Sequence, residues 1–128
     1  MKLLIDTHIL IWYIAGNPRL NRSMLNLIEA TETDLYVSIA SLWEIAIKSG
    51  KGKLNLGIEF NELENILNQL EIKILPIVFS DIKTFRFLPF HHNDPFDRIL
   101  ISQAMTQNLS LMSADHEFSA YAIHNIWE

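Results

Sequence analysis

The feature that most constrains the fold of this chain is the alternation of short apolar segments with amphipathic segments of helical period. Strands separated by helices are typical of a parallel sheet that is covered on both faces. The sequence therefore predicts an α/β fold, with one domain over residues 1–128. The candidate buried strands are residues 2–5, 35–38, 72–75 and 109–112, with a short fifth at 123–127.

The segments between the strands carry apolar residues at helical spacing. The third predicted helix is expected to end in a left-handed cap at Gly50. Pro95 lies at the first position of the sixth predicted helix, which identifies Asp94 as the N-cap of that helix. Asp97 then lies at the third helical position, where its carboxylate can accept a hydrogen bond from the backbone N–H of the cap residue. The predicted helices are residues 7–14, 20–30, 41–49, 60–70, 80–87 and 95–107.

The composition excludes several classes of protein. The 128 residues contain no Cys, which excludes a disulfide framework, a thiolate metal site and a Cys nucleophile. The opening apolar segment meets a charge at Asp6, too early for the core of a signal peptide, and no uncharged apolar run approaches the roughly 20 residues that span a bilayer. We expect a soluble cytoplasmic protein that does not enter a membrane.

The charge balance bears on nucleic-acid binding. The chain has 10 Lys and Arg residues against 15 Asp and Glu residues, a net charge of −5. This argues mildly against a nucleic-acid partner, because phosphate binding usually needs a basic surface. The objection weakens if several acids bind metal, since bound cations reverse the local field. A basic stretch of Lys48, Lys51 and Lys53 is explained at least as well by a solvated helix end as by phosphate contact.

Several acidic residues are placed to converge beyond the sheet. Ligands bind beyond the carboxyl ends of the strands in such sheets, and strands one and four are neighbours there if the strand order is 3-2-1-4-5. Asp6 and Asp115 would then lie side by side, with Asp97 facing them from the start of a helix. For Asp6 and Asp115 taken singly, an N-cap and a metal ligand are equally good interpretations, whereas the cap is the better one for Asp94.

Glu44 is more informative, because apolar residues surround it on nearly every face of its helix. A salt bridge to Lys48 would explain an exposed carboxylate, but a buried one is costly unless it is paired or binds metal. Two carboxylates ~4 Å apart repel by about 4 kcal/mol at an effective dielectric near 20, so a cluster implies a cation or a shared proton. Oxygen ligands favour Mg²⁺ or Mn²⁺ over zinc, and such ions support phosphodiester hydrolysis.

The five histidines show no paired spacing of the kind that binds zinc. His91 and His92 are adjacent in a predicted loop and are best explained as a solvated pair. A general acid or a substrate contact is the alternative interpretation for this pair.

Four segments taken together resemble the PIN-domain ribonucleases, specifically the VapC-type toxins of bacterial toxin–antitoxin pairs. The segments are LLIDTH at 3–8, SIASLWEI at 38–45, DPFDRILISQA at 94–104 and LMSAD at 111–115. They occur in the family's order and spacing over nearly the whole chain. The resemblance implies a PIN fold with a 3-2-1-4-5 sheet, Mg²⁺- or Mn²⁺-dependent endoribonuclease activity, homodimers, and inhibition by a cognate antitoxin protein.

The resemblance also implies a set of site residues. Asp94 matches a recurrent acid that supports the others, and Thr7 and Ser113 match polar positions that support the acids. The positions that correspond to the family's catalytic, metal-binding acids are Asp6, Glu44, Asp97 and Asp115.

Two other functions remain open beside the predicted ribonuclease. Asp6 could be the nucleophile of a phosphohydrolase or of a phosphoacceptor domain, although the sequence Asp6-Thr7-His8 lacks the second Asp that haloacid-dehalogenase-like enzymes carry two residues later. Alternatively, the acids could serve as helix caps in a non-catalytic α/β interaction module.

Overall fold

Five parallel strands form the centre of the computed structural model, which describes residues 1–127. The strand order is β3-β2-β1-β4-β5, which confirms the α/β class and the sheet order that the sequence predicts. The strands are β1 Lys2–Ile5, β2 Asp34–Ser38, β3 Lys73–Leu75, β4 Ser110–Met112 and β5 Asn125–Ile126.

Six α-helices cover the two faces of the sheet, and two short 3₁₀ helices, Phe60–Glu62 and His116–Ala120, complete the described elements. Pro95 and the Asp94 cap define the start of the sixth helix, whose bounds agree with the prediction. The α-helices are α1 Thr7–Ala15, α2 Arg22–Glu29, α3 Ile39–Gly50, α4 Leu63–Gln69, α5 Phe79–Phe87 and α6 Pro95–Gln107.

The C-terminal end of α3 differs from its prediction. Gly50 is still helical, the cap is Lys51 with φ −92°, and the left-handed φ of 70° occurs at Gly52. The predicted left-handed cap at Gly50 is therefore wrong, because the chain first continues through a turn. At its other end the helix starts earlier than predicted, since the hydroxyl of Ser38 accepts a hydrogen bond from the Ala40 N–H at 3.0 Å.

The central strand is buried on both faces. Leu3, Leu4 and Ile5 are all fully buried, which is why β1 is a continuous apolar run in the sequence. Leu3 and Ile5 pack with residues of α1, α2 and α4, whereas Leu4 packs on the opposite face with residues of α6. No helix within residues 1–127 has the length and apolar character needed to cross a bilayer.

Candidate metal centre

The carboxyl ends of β1 and β4 bring two of the predicted acids together. Ile5 is paired with Met112 in the parallel ladder, and the Asp6 N–H donates to the Met112 carbonyl oxygen at 3.1 Å. Asp6 follows β1 directly, and Asp115 lies three residues beyond β4. The charge of Asp115 acts to raise the pKa of Asp6, so the two carboxylates are electrostatic neighbours.

Asp6 is both a helix cap and a member of this group of acids. Its Oδ1 accepts from the Ile9 N–H at 2.8 Å, which caps α1, and the residue is only 4% exposed. Burial raises the pKa of Asp6, while hydrogen bonds from Ser113 and from the Ile9 N–H oppose the rise. The cap and the ligand interpretations are therefore compatible at this position.

Glu44 is buried and held by two partners. Thr7 Oγ1 lies 2.7 Å from Glu44 Oε1, to which it donates, and 2.9 Å from Ser41 Oγ. Lys48 Nζ is 2.5 Å from the other carboxylate oxygen, and Glu44 itself is 3% exposed. The hydrogen bond to Glu44 raises the pKa of Lys48. These contacts fix the Glu44 carboxylate at the edge of the group of acids.

The pKa of Asp97 is affected by several neighbouring negative charges. Its pKa is raised to about 7, first by burial and then by the negative charges of Asp94, Asp6 and Glu44. Asp94 caps α6, as predicted, by accepting from the Phe96 N–H at 2.8 Å. The Asp97 carboxylate is directed at a histidine instead of the cap, with Oδ2 3.1 Å from His92 Nε2.

The sequence analysis predicted the wrong environment for His92. The interpretation as a solvated residue is wrong for His92, which is 8% exposed, whereas His91 is exposed. Its Nε2 lies 3.1 Å from Asp97 Oδ2 and 2.9 Å from Asp115 Oδ2. The physical reason is contact with residues distant in sequence: the His92 N–H donates to the Tyr121 hydroxyl, 29 residues away, and the ring is hydrogen-bonded to Asp115, 23 residues away.

Arg98 is the second residue that the sequence analysis missed. It is buried, and its guanidinium donates to the carbonyl oxygens of Pro89, His92, Phe85 and Leu88. Its guanidinium carbon also lies 5.1 and 4.1 Å from the ring centres of Phe85 and Phe90. The loop that carries His92 is therefore organised around this one side chain.

The supporting residues Thr7 and Ser113 are also at this site. Both are buried, and the Ser113 hydroxyl accepts from the Asp115 N–H at 3.0 Å in addition to its hydrogen bond with Asp6. Hydrogen bonds join Thr7 to Glu44 and Ser113 to Asp6 and Asp115, and the charges of Asp6, Glu44 and Asp94 act on Asp97. The set defined by Asp6, Glu44, Asp97 and Asp115 is called the acid pocket below.

The chemistry of the acid pocket fits a divalent cation. Burial, and after it neighbouring negative charges, raise the pKa of Asp6 and of Asp97, and a bound cation would offset both effects. Carboxylate oxygens are the ligands that Mg²⁺ and Mn²⁺ prefer. Of the four acids, Asp115 also belongs to a second group, in which side-chain atoms of His92, Asp115 and Glu117 lie within 4.8 Å of one another.

The fold and the acid pocket define an α/β domain with a candidate cation site at the carboxyl edge of its parallel sheet. The family model of the PIN domain matches residues 3–123. The chain therefore belongs to the PIN domain family. No curated protein matches the sequence at a significant level.

Similar solved structures extend over the whole fold. VapBC2 from Rickettsia felis, bound to a DNA fragment from its promoter, matches with 17% identity and a TM-score of 0.73, covering 98% of each chain. VapBC-1 from nontypeable Haemophilus influenzae matches with 16% identity and a TM-score of 0.70, covering 98% of this chain and 97% of that one. A toxin–antitoxin complex from Klebsiella pneumoniae matches with 15% identity and a TM-score of 0.67, over 98% and 96%. At these identities the likeness shows the fold.

Proposed function

We propose that this protein is a metal-dependent endoribonuclease and the toxin of a toxin–antitoxin pair. The observation that carries the proposal is the crowding of acids that are distant in sequence: the charges of Asp6 and Glu44 act on Asp97, and that of Asp115 acts on Asp6. Membership of the PIN domain family supports a nuclease, and the similarity to VapBC structures and to a toxin–antitoxin complex supports the toxin role.

In this proposal Asp6, Glu44, Asp97 and Asp115 would hold Mg²⁺ or Mn²⁺, and the bound ion would activate water and stabilise negative charge in phosphodiester hydrolysis. The side chains of the pocket are already fixed by hydrogen bonds of the protein. Asp6 is held by the N-terminus of α1, and Glu44 by Thr7 and Lys48. The Lys48 side chain is 42% exposed, so its ammonium group lies where it can meet a phosphate of the RNA.

Cleavage of total cellular RNA tests the proposed function. We expect the purified protein to cut RNA with Mg²⁺ or Mn²⁺, to lose all cleavage with excess chelator, and to recover it when the ion is restored, because the acids act only through a cation. Mapping the cut ends on a sequencing gel measures the activity and its sequence preference. Cleavage that continues in chelator would contradict the metal-dependent mechanism.

The change in Tm on adding the metal ion separates the nuclease from a non-catalytic module. A cation that binds the folded acid pocket at a hundred times its Kd stabilises the protein by about 2.7 kcal/mol, whereas isolated helix caps would give almost no stabilisation. Absence of both RNA cleavage and a metal-dependent rise in Tm would identify the acids as caps.

An antitoxin is the protein partner that the proposal requires. The similarity to a structure described as a toxin–antitoxin complex supports such a partner. The natural candidate is a small protein encoded beside this one. It should bind this chain and suppress the RNA cleavage, and a neighbouring product that does neither would be excluded as the antitoxin.

An exposed apolar face supports the second partner, a second copy of this chain. The face is formed by Trp43 of α3 with Phe79 and Ile82 of α5, which are 63%, 71% and 49% exposed. The groove beside it, about 340 Å³ in volume, is lined almost entirely by apolar side chains, including Trp43 and Phe96. Apolar patches of this kind mark protein interfaces, and we infer a homodimer through this face.

Substitution of Trp43 by Glu tests the homodimer. We expect Trp43→Glu to shift the protein from dimer to monomer, because a charge would be buried at the centre of the interface. The measurement is molar mass by light scattering after size exclusion. Met105→Glu is the matched control, since Met105 is 40% exposed but lies on α6 outside the apolar face. A wild-type monomer, or a variant that remains dimeric, would contradict the assignment.

A further inference from the structure

The loop that precedes α6 places an imidazole ring against the acid pocket. We propose that His92 is a positioning residue of the candidate metal centre: its Nε2–H orients the carboxylate of Asp115, and its ring lies against the carboxylate of Asp97. This inference rests on the proposed function, because it takes the two carboxylates as metal ligands.

The hydrogen-bond pattern assigns the proton of the ring. His92 Nδ1 accepts from the Asp94 backbone N–H at 3.2 Å, so in a neutral imidazole the single N–H is on Nε2. Nε2 donates to Asp115 Oδ2 at 2.9 Å and lies 3.1 Å from Asp97 Oδ2, a contact between the ring and the carboxylate that is not a hydrogen bond. The nearest oxygen of Glu117 is 3.7 Å from Nδ1, beyond hydrogen-bonding distance. The ring therefore donates to the carboxylate of Asp115, with the carboxylate of Asp97 beside it.

The ring is fixed by contacts on several sides. The edge of His92 packs against the ring of Phe118, which is fully buried, at a centroid distance of 5.6 Å. Its backbone N–H donates to the Tyr121 hydroxyl oxygen at 2.9 Å, and its carbonyl oxygen accepts from Arg98 at 3.2 Å. A donor locked in this way can preorganise the groups that it contacts.

The hydrogen bonds leave room for a cation. A carboxylate offers about four lone-pair positions, and Asp115 uses one of them for His92. The second oxygen of Asp115 accepts from the Glu117 N–H at 2.9 Å, so this carboxylate is oriented by two donors. Removal of a hydrogen-bond partner that orients a metal ligand typically weakens metal affinity by about 10- to 100-fold.

The competing explanation is that His92 only fills the space that the cation would take. The two explanations predict opposite effects of removing the ring. If His92 positions the carboxylates, its loss weakens metal binding, whereas a residue that competes with the cation would strengthen binding when it is removed.

Calorimetric titration with Mn²⁺ alone, without RNA, tests the inference on the full chain. We expect His92→Ala to weaken Mn²⁺ binding by about 10- to 100-fold. His92→Gln should recover most of the affinity because its amide N–H lies at a similar distance from the backbone, and the shorter His92→Asn should not. His91→Ala is the matched control and should bind as the wild type does, since His91 is exposed and packs against Tyr121.

Each result of this titration is decisive. Equal or tighter Mn²⁺ binding by His92→Ala would overturn the positioning role while leaving the metal centre in place. A wild-type protein that fails to bind Mn²⁺ would overturn the proposed function itself. If His92→Ala does not fold, the comparison of the Gln and Asn variants decides, and equal affinities of these two would overturn the inference.

Discussion

Asp6→Asn is expected to lower RNA cleavage by at least about a hundredfold while the protein remains folded. The variant removes one negative charge from the acid pocket and so weakens its hold on the cation. A catalytic cation contributes several kcal/mol to stabilisation of the transition state. Each 1.36 kcal/mol corresponds to about a tenfold change in rate. The Asn side chain keeps an oxygen that can accept from the Ile9 N–H, so the α1 cap survives. The measurement is the initial rate of RNA cleavage in Mg²⁺ or Mn²⁺.

Asp34→Asn is the control for the loss of a charge elsewhere. Asp34 is exposed at the start of β2, on the edge of the sheet opposite to the acid pocket. Its contact with Lys73 at 3.9 Å is a surface ion pair, worth about 0–1 kcal/mol. This variant should cleave at the wild-type rate, and undiminished cleavage by Asp6→Asn would count against the whole assignment of the site.

Arg98→Ala is expected to cause the largest loss of stability. The four carbonyl oxygens that Arg98 serves would lose a charged donor, and each such hydrogen bond contributes about 1.5–3 kcal/mol when measured singly. The contributions overlap, so we expect the free energy of unfolding to fall by about 3 kcal/mol or more, which lowers Tm by roughly 10 °C in a domain of this size. Thermal unfolding in chelator, followed by circular dichroism, measures the effect without bound metal.

Two further variants make the Arg98 result specific. Arg86 is exposed on α5 and lies over the ring of Phe87, so Arg86→Ala should change stability by less than about 0.5 kcal/mol. Arg98→Lys keeps the charge but lacks the planar guanidinium group that donates to four carbonyl oxygens. It should therefore recover only part of the lost free energy of unfolding. Equal melting of Arg98→Ala and Arg86→Ala would show that the loop does not depend on this side chain.

The sheet and the convergence of the acids could be predicted because both follow from topology. Once β1 and β4 are neighbours and parallel, Asp6 and Asp115 must meet beyond their ends. Glu44 was identifiable because a carboxylate in an apolar helix needs a partner, and the structure supplies Thr7 and Lys48.

The surroundings of the acids could not be predicted, because they depend on contacts between distant segments. His92 is hydrogen-bonded to Tyr121, 29 residues away, and to Asp115, 23 residues away. No periodic pattern in the loop predicts either contact. The prediction of a left-handed cap at Gly50 was wrong for a local reason. Glycines stand at both 50 and 52, and only the path of the chain after the helix decides which one takes the left-handed conformation.

The distribution of the four acids along the chain has a consequence for how such an activity could be controlled. A break within the loop at 51–59, between α3 and the first 3₁₀ helix, would leave Asp6 and Glu44 on one piece and Asp97 and Asp115 on the other. Each piece would also carry only part of the sheet. The proposed RNA cleavage would then require both pieces to associate and refold together, so it would occur only where both fragments are present.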